Sequence, residues 1–123
     1  MEYGNVQRDM FQAAIGSAQQ QSSLIRNMTS SPEEFSAPGQ FYLSTDIQSG
    51  FAIMATGEIA GVFSVSRGRG SEILENAKQK GGQWLDCFDG YLPGFYAAHG
   101  FVETSREKNW TPGGPDVVYM RVR

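Results

Sequence analysis

Residues 63–74 read FSVSRGRGSEIL, and how this stretch is parsed decides the fold. Phe63 and Val65 alternate with serines as in a half-exposed strand. Arg67-Gly68-Arg69-Gly70 breaks that alternation, and Ser71-Glu72-Ile73-Leu74 restarts as a helix. Strand, glycine loop and helix N-terminus is an order that gathers backbone N–H groups around a phosphate. The same glycines also make an ordinary turn, and the order alone does not choose between the two.

Working outward toward the C-terminus, the spacing predicts a helix over 71–80 that buries Ile73, Leu74 and Ala77, stopped by Gly81-Gly82. QWLDCF (83–88) reads as a short, nearly continuous apolar strand, covered on both faces. LPGFYAAHG (92–100) is a short helix with Pro93 in its first turn and Gly100 past its end. FVETSRE and DVVYMRV are two closing strands joined by NWTPGG.

Toward the N-terminus, QFYLS, GFAIMA and EIAGVFSV are strands of an antiparallel meander, joined by TDIQS and by a Thr56-Gly57 hairpin turn. Residues 6–19 carry Met10, Phe11, Ala14, Ile15 and Ala18 at helical spacing and form an amphipathic helix. Residues 20–39 are polar and read as a loop, with a short turn starting at Ser31-Pro32-Glu33-Glu34. No strand is legible ahead of the first helix. The order is therefore helix, three strands, helix, strand, helix, two strands, a mixed α/β (α+β) protein.

Composition narrows the chemistry. At 123 residues, with 40% hydrophobic and 12% aromatic content, the chain is expected to form a single domain, 1–123. The net charge of −3 with scattered basic residues argues against nucleic acid as a partner. One cysteine, Cys87, and one histidine, His99, exclude an intrachain disulfide and a Cys-rich zinc site. No metal is expected. MEYGNVQRD at the start lacks the regions of a secretory signal, and no apolar run reaches the ~20 residues of a membrane span. The expected compartment is the cytoplasm, with no membrane partner.

Two stretches together resemble a known family. SRGRGSEIL resembles the Arg/Gln-x-x-Gly-x-Gly/Ala pyrophosphate loop of the GCN5-related N-acetyltransferases (GNAT). LPGFYAAHGFVE resembles the FYxxxGF segment that closes the same fold. One helix and one strand lie between them, as in the family, and the resemblance covers residues 40–122. The glycine-rich approach to PDVVYMRV is similar to small acetyltransferase-like proteins of phages and prophages, which would place the chain in a host cytoplasm.

The resemblance implies a mostly antiparallel central sheet with helices on both faces, shortened at the N-terminus. It implies acetyl-CoA as co-substrate and an amine of a small molecule or protein as acceptor. The strand 58–66, through backbone groups such as those of Phe63 and Val65, would hold the pantetheine arm as an added strand would. The pyrophosphate would sit on the amides of Gly68, Arg69, Gly70 and Ser71, with the guanidinium groups of Arg67 and Arg69 supplementing them. Glu72 departs from the pattern, standing where the family carries a small residue.

Tyr96 matches the tyrosine that protonates the departing thiolate, and reads equally as a core aromatic beside Phe95. Asp86 interrupts a strand expected to be central, so it is either a general base for the acceptor or the partner of an arginine. Asp89 stands where many relatives place an asparagine near CoA, and also suits a helix cap. Asp46 and Glu58 are further carboxylates at strand ends, read as solvated surface groups. His99 and Cys87 read as structural, and Trp84, Trp110 and Phe101 as core or loop anchors. Two functions fit: an acetyl-CoA-dependent N-acetyltransferase, or a catalytically degenerate GNAT-fold binding module engaging, for example, a host protein. Neither fixes the oligomeric state, and a homodimer is compatible with both.

Overall fold

The computed structural model describes residues 2–23, 25, 32, 35–66 and 68–123. Two compact units follow one another along the chain, Met1–Gly82 and Gln83–Arg123. The first comprises β1 (Tyr3–Val6), α1 (Arg8–Gln21), β2 (Gly39–Ser44), β3 (Ser49–Met54), β4 (Ile59–Ser64) and α2 (Gly70–Gln79). The second comprises β5 (Trp84–Phe88), α3 (Tyr91–Ala98), β6 (Phe101–Glu107) and β7 (Val117–Val122). The mixed, antiparallel architecture expected from the sequence is the one the chain forms.

In the first unit the four strands form an antiparallel sheet in the order β1-β2-β3-β4. One face carries Phe41, Leu43, Ala52 and Phe63, which cluster with Phe11, Ala14, Ile15 and Ala18 of α1. Strand alternation puts Phe51 and Ile53 on the other face. Ile59 shares that face, because it stands opposite Ile53 and packs against Gly82, just past the end of α2. Helices thus cover both faces, and β3 is buried from Ser49 to Ile53. Such a strand reads as continuously apolar or small because neither face meets water.

α1 keeps its expected apolar face with one correction: Met10 remains 44% exposed while Phe11 and Ile15 are fully buried. α2 buries Ile73, Leu74 and Ala77 as its spacing predicts. It ends in a Schellman pair, with Gly81 N–H on the Lys78 carbonyl and Gly82 N–H on that of Ala77. Gly81 takes the left-handed φ of +97° that this ending requires.

Two further readings need correction. A strand does precede α1: β1 pairs with β2 from Tyr3↔Ser44 to Val6↔Phe41. Its four residues, only Tyr3 of which is buried, are too few for an alternation to be legible. β5 is not covered on both faces. It edges the three-stranded antiparallel sheet β5-β7-β6, where Leu85 and Cys87 are buried and Asp86 between them is exposed. Leu85 and Cys87 stand opposite Met120 and Val118 of β7, and these four, with Phe101 and Val117, supply the buried apolar groups of the second unit.

Candidate functional site

The outer edge of β4 comes first. Each β3 residue bonds alternately to β2 and to β4. Met54 N–H meets the Glu58 carbonyl and Val65 N–H meets the Gln48 carbonyl, both at 2.8 Å. With Gly50 opposite Phe63 and Ser49 opposite Ser64, that alternation turns the backbone groups of Phe63 toward β3. Those of Ser64 face outward. The expectation that Phe63 and Val65 present the edge is therefore corrected: their backbone groups serve β3, and the Phe63 ring lies in the core, 3% exposed.

The register slips between Gly50 and Ala52, so Gly61 and Val62 together oppose one β3 residue, a β-bulge. Gly61 sits at φ +60°. A Cβ there would come within 2.8 Å of the Phe35 ring, so both backbone and space demand glycine. A lone glycine inside EIAGVFSV was the signal available in the sequence for this bulge.

Past β4 the chain reaches the glycine loop. The Ser64 hydroxyl donates to the Ser66 carbonyl, closing the strand end. Arg67 lies outside the described residues. Gly68 takes φ +81°, is exposed, and has open space where a side chain would stand. α2 begins at Gly70, with Gly70 and Ser71 exposed in its first turn. Ile73 N–H is the donor that reaches back to the Arg69 carbonyl, at 2.9 Å. Helix N-termini carry amides without intrahelical acceptors and the positive end of the helix dipole. The loop can thus present backbone N–H groups to an anion.

Arg69 behaves differently from the expectation. Its guanidinium forks onto Asp46, with Nη2 2.7 Å from Oδ2 and Nη1 3.2 Å from Oδ1. Nη1 also donates to Ser49 Oγ at 3.1 Å. Ser49 is fully buried, and its hydroxyl meets Tyr3 Oη at 2.9 Å. Asp46 is exposed, as read, but its carboxylate is paired rather than free. The Arg69 guanidinium, the Ser44 hydroxyl and the Gln48 amide hold its carboxyl well below the usual carboxylate range. That carboxyl is no base. Glu72, in the first turn of α2, acts electrostatically on Tyr3 and Arg69.

In the second unit Tyr96 sits on α3, half-buried, with its ring 5.9 Å from Phe101 and 5.7 Å from Phe95. Burial first, and then the charges of Cys87 and Asp86, push its phenol up to about 12. It holds its proton throughout the neutral range, and its hydroxyl makes no hydrogen bond among the described residues. Asp86 is exposed, yet its apolar setting still raises its carboxyl. Cys87 is buried, its thiol pushed to about 11 chiefly by desolvation, so it is a core residue with little thiolate.

Asp89 does not cap α3. The cap position falls on Gly90, at φ +134°. Asp89 instead accepts from Gly90 N–H and pairs with Arg106 at 2.9 Å. Arg106 also meets Glu103 at 2.8 Å and Asp116 at 3.5 Å. Phe101 is core, as read, and Trp110 is 79% exposed, with its ring 6.5 Å from that of the half-buried Phe88. His99 closes α3 through its N–H to the Tyr96 carbonyl. Among the described residues no group of His, Cys, Asp or Glu is placed to hold a metal ion, and no helix is long and apolar enough to cross a membrane.

No known sequence family and no curated protein sequence gives a match to this chain. Solved structures do. An acyl-CoA N-acyltransferase from Pseudomonas aeruginosa superposes with a TM-score of 0.71 at 14% identity, over 100% of both chains. The apo form of YjaB from Escherichia coli gives 0.60 at 13% identity, over 98% of this chain and 95% of that one. A GNAT-family acetyltransferase from Staphylococcus aureus gives 0.52 at 12%, over 99% of each. At these identities the likeness is one of fold, and the fold is that of the GNAT acetyltransferases.

Proposed function

We propose that the chain is an N-acyltransferase that uses acetyl-CoA to acylate an amine of a small molecule or protein. The observation that carries this reading is the passage from β4 into α2. A bulged edge strand with outward backbone groups at Ser64 runs through an open glycine at Gly68 into a helix whose first turn is exposed. An extended pantetheine arm can add to such an edge, and a pyrophosphate suits such a helix start. Gly68, Gly70 and Ser71 would hold the pyrophosphate through backbone N–H groups, with the charge of Arg67 added. The presence of β1 removes the apparent lack of a first strand as a ground for the binding-module reading, and leaves Glu72 as the remaining one.

Bound acetyl-CoA supplies an activated acyl carbon, whose bond to sulfur breaks as the bond to nitrogen forms. Asp86 accepts the proton that the attacking amine gives up. Its raised carboxyl is a better base than an ordinary carboxylate. Tyr96 donates its hydroxyl proton to the departing sulfur and is reprotonated from water. No nucleophilic side chain is needed, in keeping with a Cys87 thiol that is buried and protonated.

Calorimetric titration with acetyl-CoA tests the reading. Saturable one-to-one binding is expected, weakened by Gly70→Val, which blocks close backbone approach. Absence of binding in the parent protein would overturn it and favour the binding-module alternative.

A further inference from the structure

The polar network beneath the glycine loop is more than the loop chemistry requires. It joins three segments distant in sequence: Tyr3 of β1, Ser44, Asp46 and Ser49 around the β2–β3 turn, and Arg69 just before α2. Ser44 Oγ donates to Asp46 Oδ1 at 2.7 Å and accepts from Ser49 N–H at 3.1 Å. Asp46 Oδ1 also accepts from Gln48 N–H at 3.0 Å. Arg69, its side chain only 18% exposed, closes the network through both Asp46 and Ser49.

The turn that presents Asp46 is itself strained. Ile47 takes φ +64°, a left-handed conformation that a β-branched side chain adopts only when its surroundings impose it. The Ser44 carbonyl accepts Ile47 N–H at 2.9 Å, and the Asp46 carboxylate fixes the residue on the other side. A charged fork, a buried hydroxyl and a strained turn thus converge on the residue just before α2.

We infer that Arg69 and Asp46 are positioning residues for the anion-binding loop. Arg69 ties the start of α2 to the β2–β3 turn, so that the amides from Gly68 to Ser71 stand ready before any ligand arrives. This rests on the proposed coenzyme reading, and it differs from the sequence expectation that Arg69 is a second phosphate ligand. A guanidinium already forked onto a carboxylate and a buried hydroxyl would have to leave both to reach a phosphate. A preorganised loop binds more tightly because less ordering remains to be done on binding.

The two roles respond oppositely to loss of the Asp46 charge. Hydrogen exchange of residues 68–72 would be measured in ligand-free parent, Asp46→Asn and Arg69→Lys proteins, alongside calorimetric Kd values for acetyl-CoA at several salt concentrations. Arg69→Lys keeps the charge but loses the planar fork that spans Asp46 and Ser49. Positioning predicts faster exchange at 68–72 in both variants and CoA binding weakened about tenfold in both. It also predicts an unchanged salt dependence, because no phosphate contact has been removed. Tighter binding in Asp46→Asn would overturn the inference, since it would mean that Asp46 competes with phosphate for Arg69. So would near-parent binding in Arg69→Lys or unchanged exchange in both variants. If the parent does not bind CoA at all, the coenzyme reading fails and the exchange measurement still decides whether the pair orders the loop.

Discussion

The two units solve the same problem, holding a charged arginine, in different ways. In the first, Arg69 is clamped by one carboxylate and a buried serine beneath a sheet covered on both faces. In the second, Arg106 is shared among Asp89, Glu103 and Asp116, all exposed, on a sheet packed by the single helix α3. Solvent weakens the second cluster by screening and by hydrating each member. The first differs in one acceptor, the fully buried Ser49 hydroxyl, since Asp46 is nearly as open to solvent as the carboxylates around Arg106. Under the proposed function the first unit keeps backbone in place for the coenzyme, and the second supplies Asp86, exposed, and Tyr96, half-buried, for proton transfer.

The sharpest way to break that division is Tyr96→Phe. If the second unit supplies the acid, turnover should fall ~10²–10⁴-fold with little change in melting temperature or acetyl-CoA affinity. Near-parent turnover would remove Tyr96 from the chemistry. Because its phenol is held near 12, ionisation of Tyr96 should not limit the rate below about pH 10.

In the first unit the large effects should appear in stability instead. Phe11 is fully buried, its ring within 5.3–6.0 Å of Phe35, Phe41 and Phe63. Phe11→Ala should cost about 3–5 kcal/mol in chemical denaturation. Gly61→Ala should cost less, about 1–3 kcal/mol, through the positive φ and the clash with the Phe35 ring. It should also weaken acetyl-CoA binding by disturbing the β4 edge. A Gly61→Ala protein of parent stability would mean that the bulge relaxes freely.

A pH series separates the two arginine sites further. Asp46 has a lowered folded pKa, so its contribution is present above the ordinary carboxylate pKa near 4 and is lost as pH falls below it. The difference in melting temperature between parent and Asp46→Asn should therefore be largest near neutrality and shrink below about pH 4. A difference that stays constant across that range would show that the ionised carboxylate is not what matters. The smallest change is expected for Arg106→Ala, whose exposed partners are rehydrated on its loss. Raising the salt concentration should erase what difference remains.

Much of this was legible because it depends on neighbours in sequence. Helical spacing placed Ile73, Leu74 and Ala77, and Thr56-Gly57 made its turn, with Gly57 at φ +91°. The loop is legible from its glycines and the helix after it from its apolar spacing. β1 was missed because four residues leave no pattern to read. Asp86 was misjudged as buried because a run of apolar residues does not reveal that its strand lies at a sheet edge. Phe63 and Val65 were named for the edge where Ser64 belongs, because backbone direction follows from register.

What the sequence by itself determined is the order and kind of the elements and the presence of a glycine loop at the start of a helix. These rest on periodicity and on φ preferences, which act over a few residues. Which groups that loop presents was decided only by the tertiary structure. Arg69 looked like a free cation beside Arg67. It is instead bound to Asp46, twenty-three residues earlier, and to Ser49. A side chain's charge is fixed by its identity, but its partner is fixed by the packing of strands and turns that brings distant residues within 3 Å.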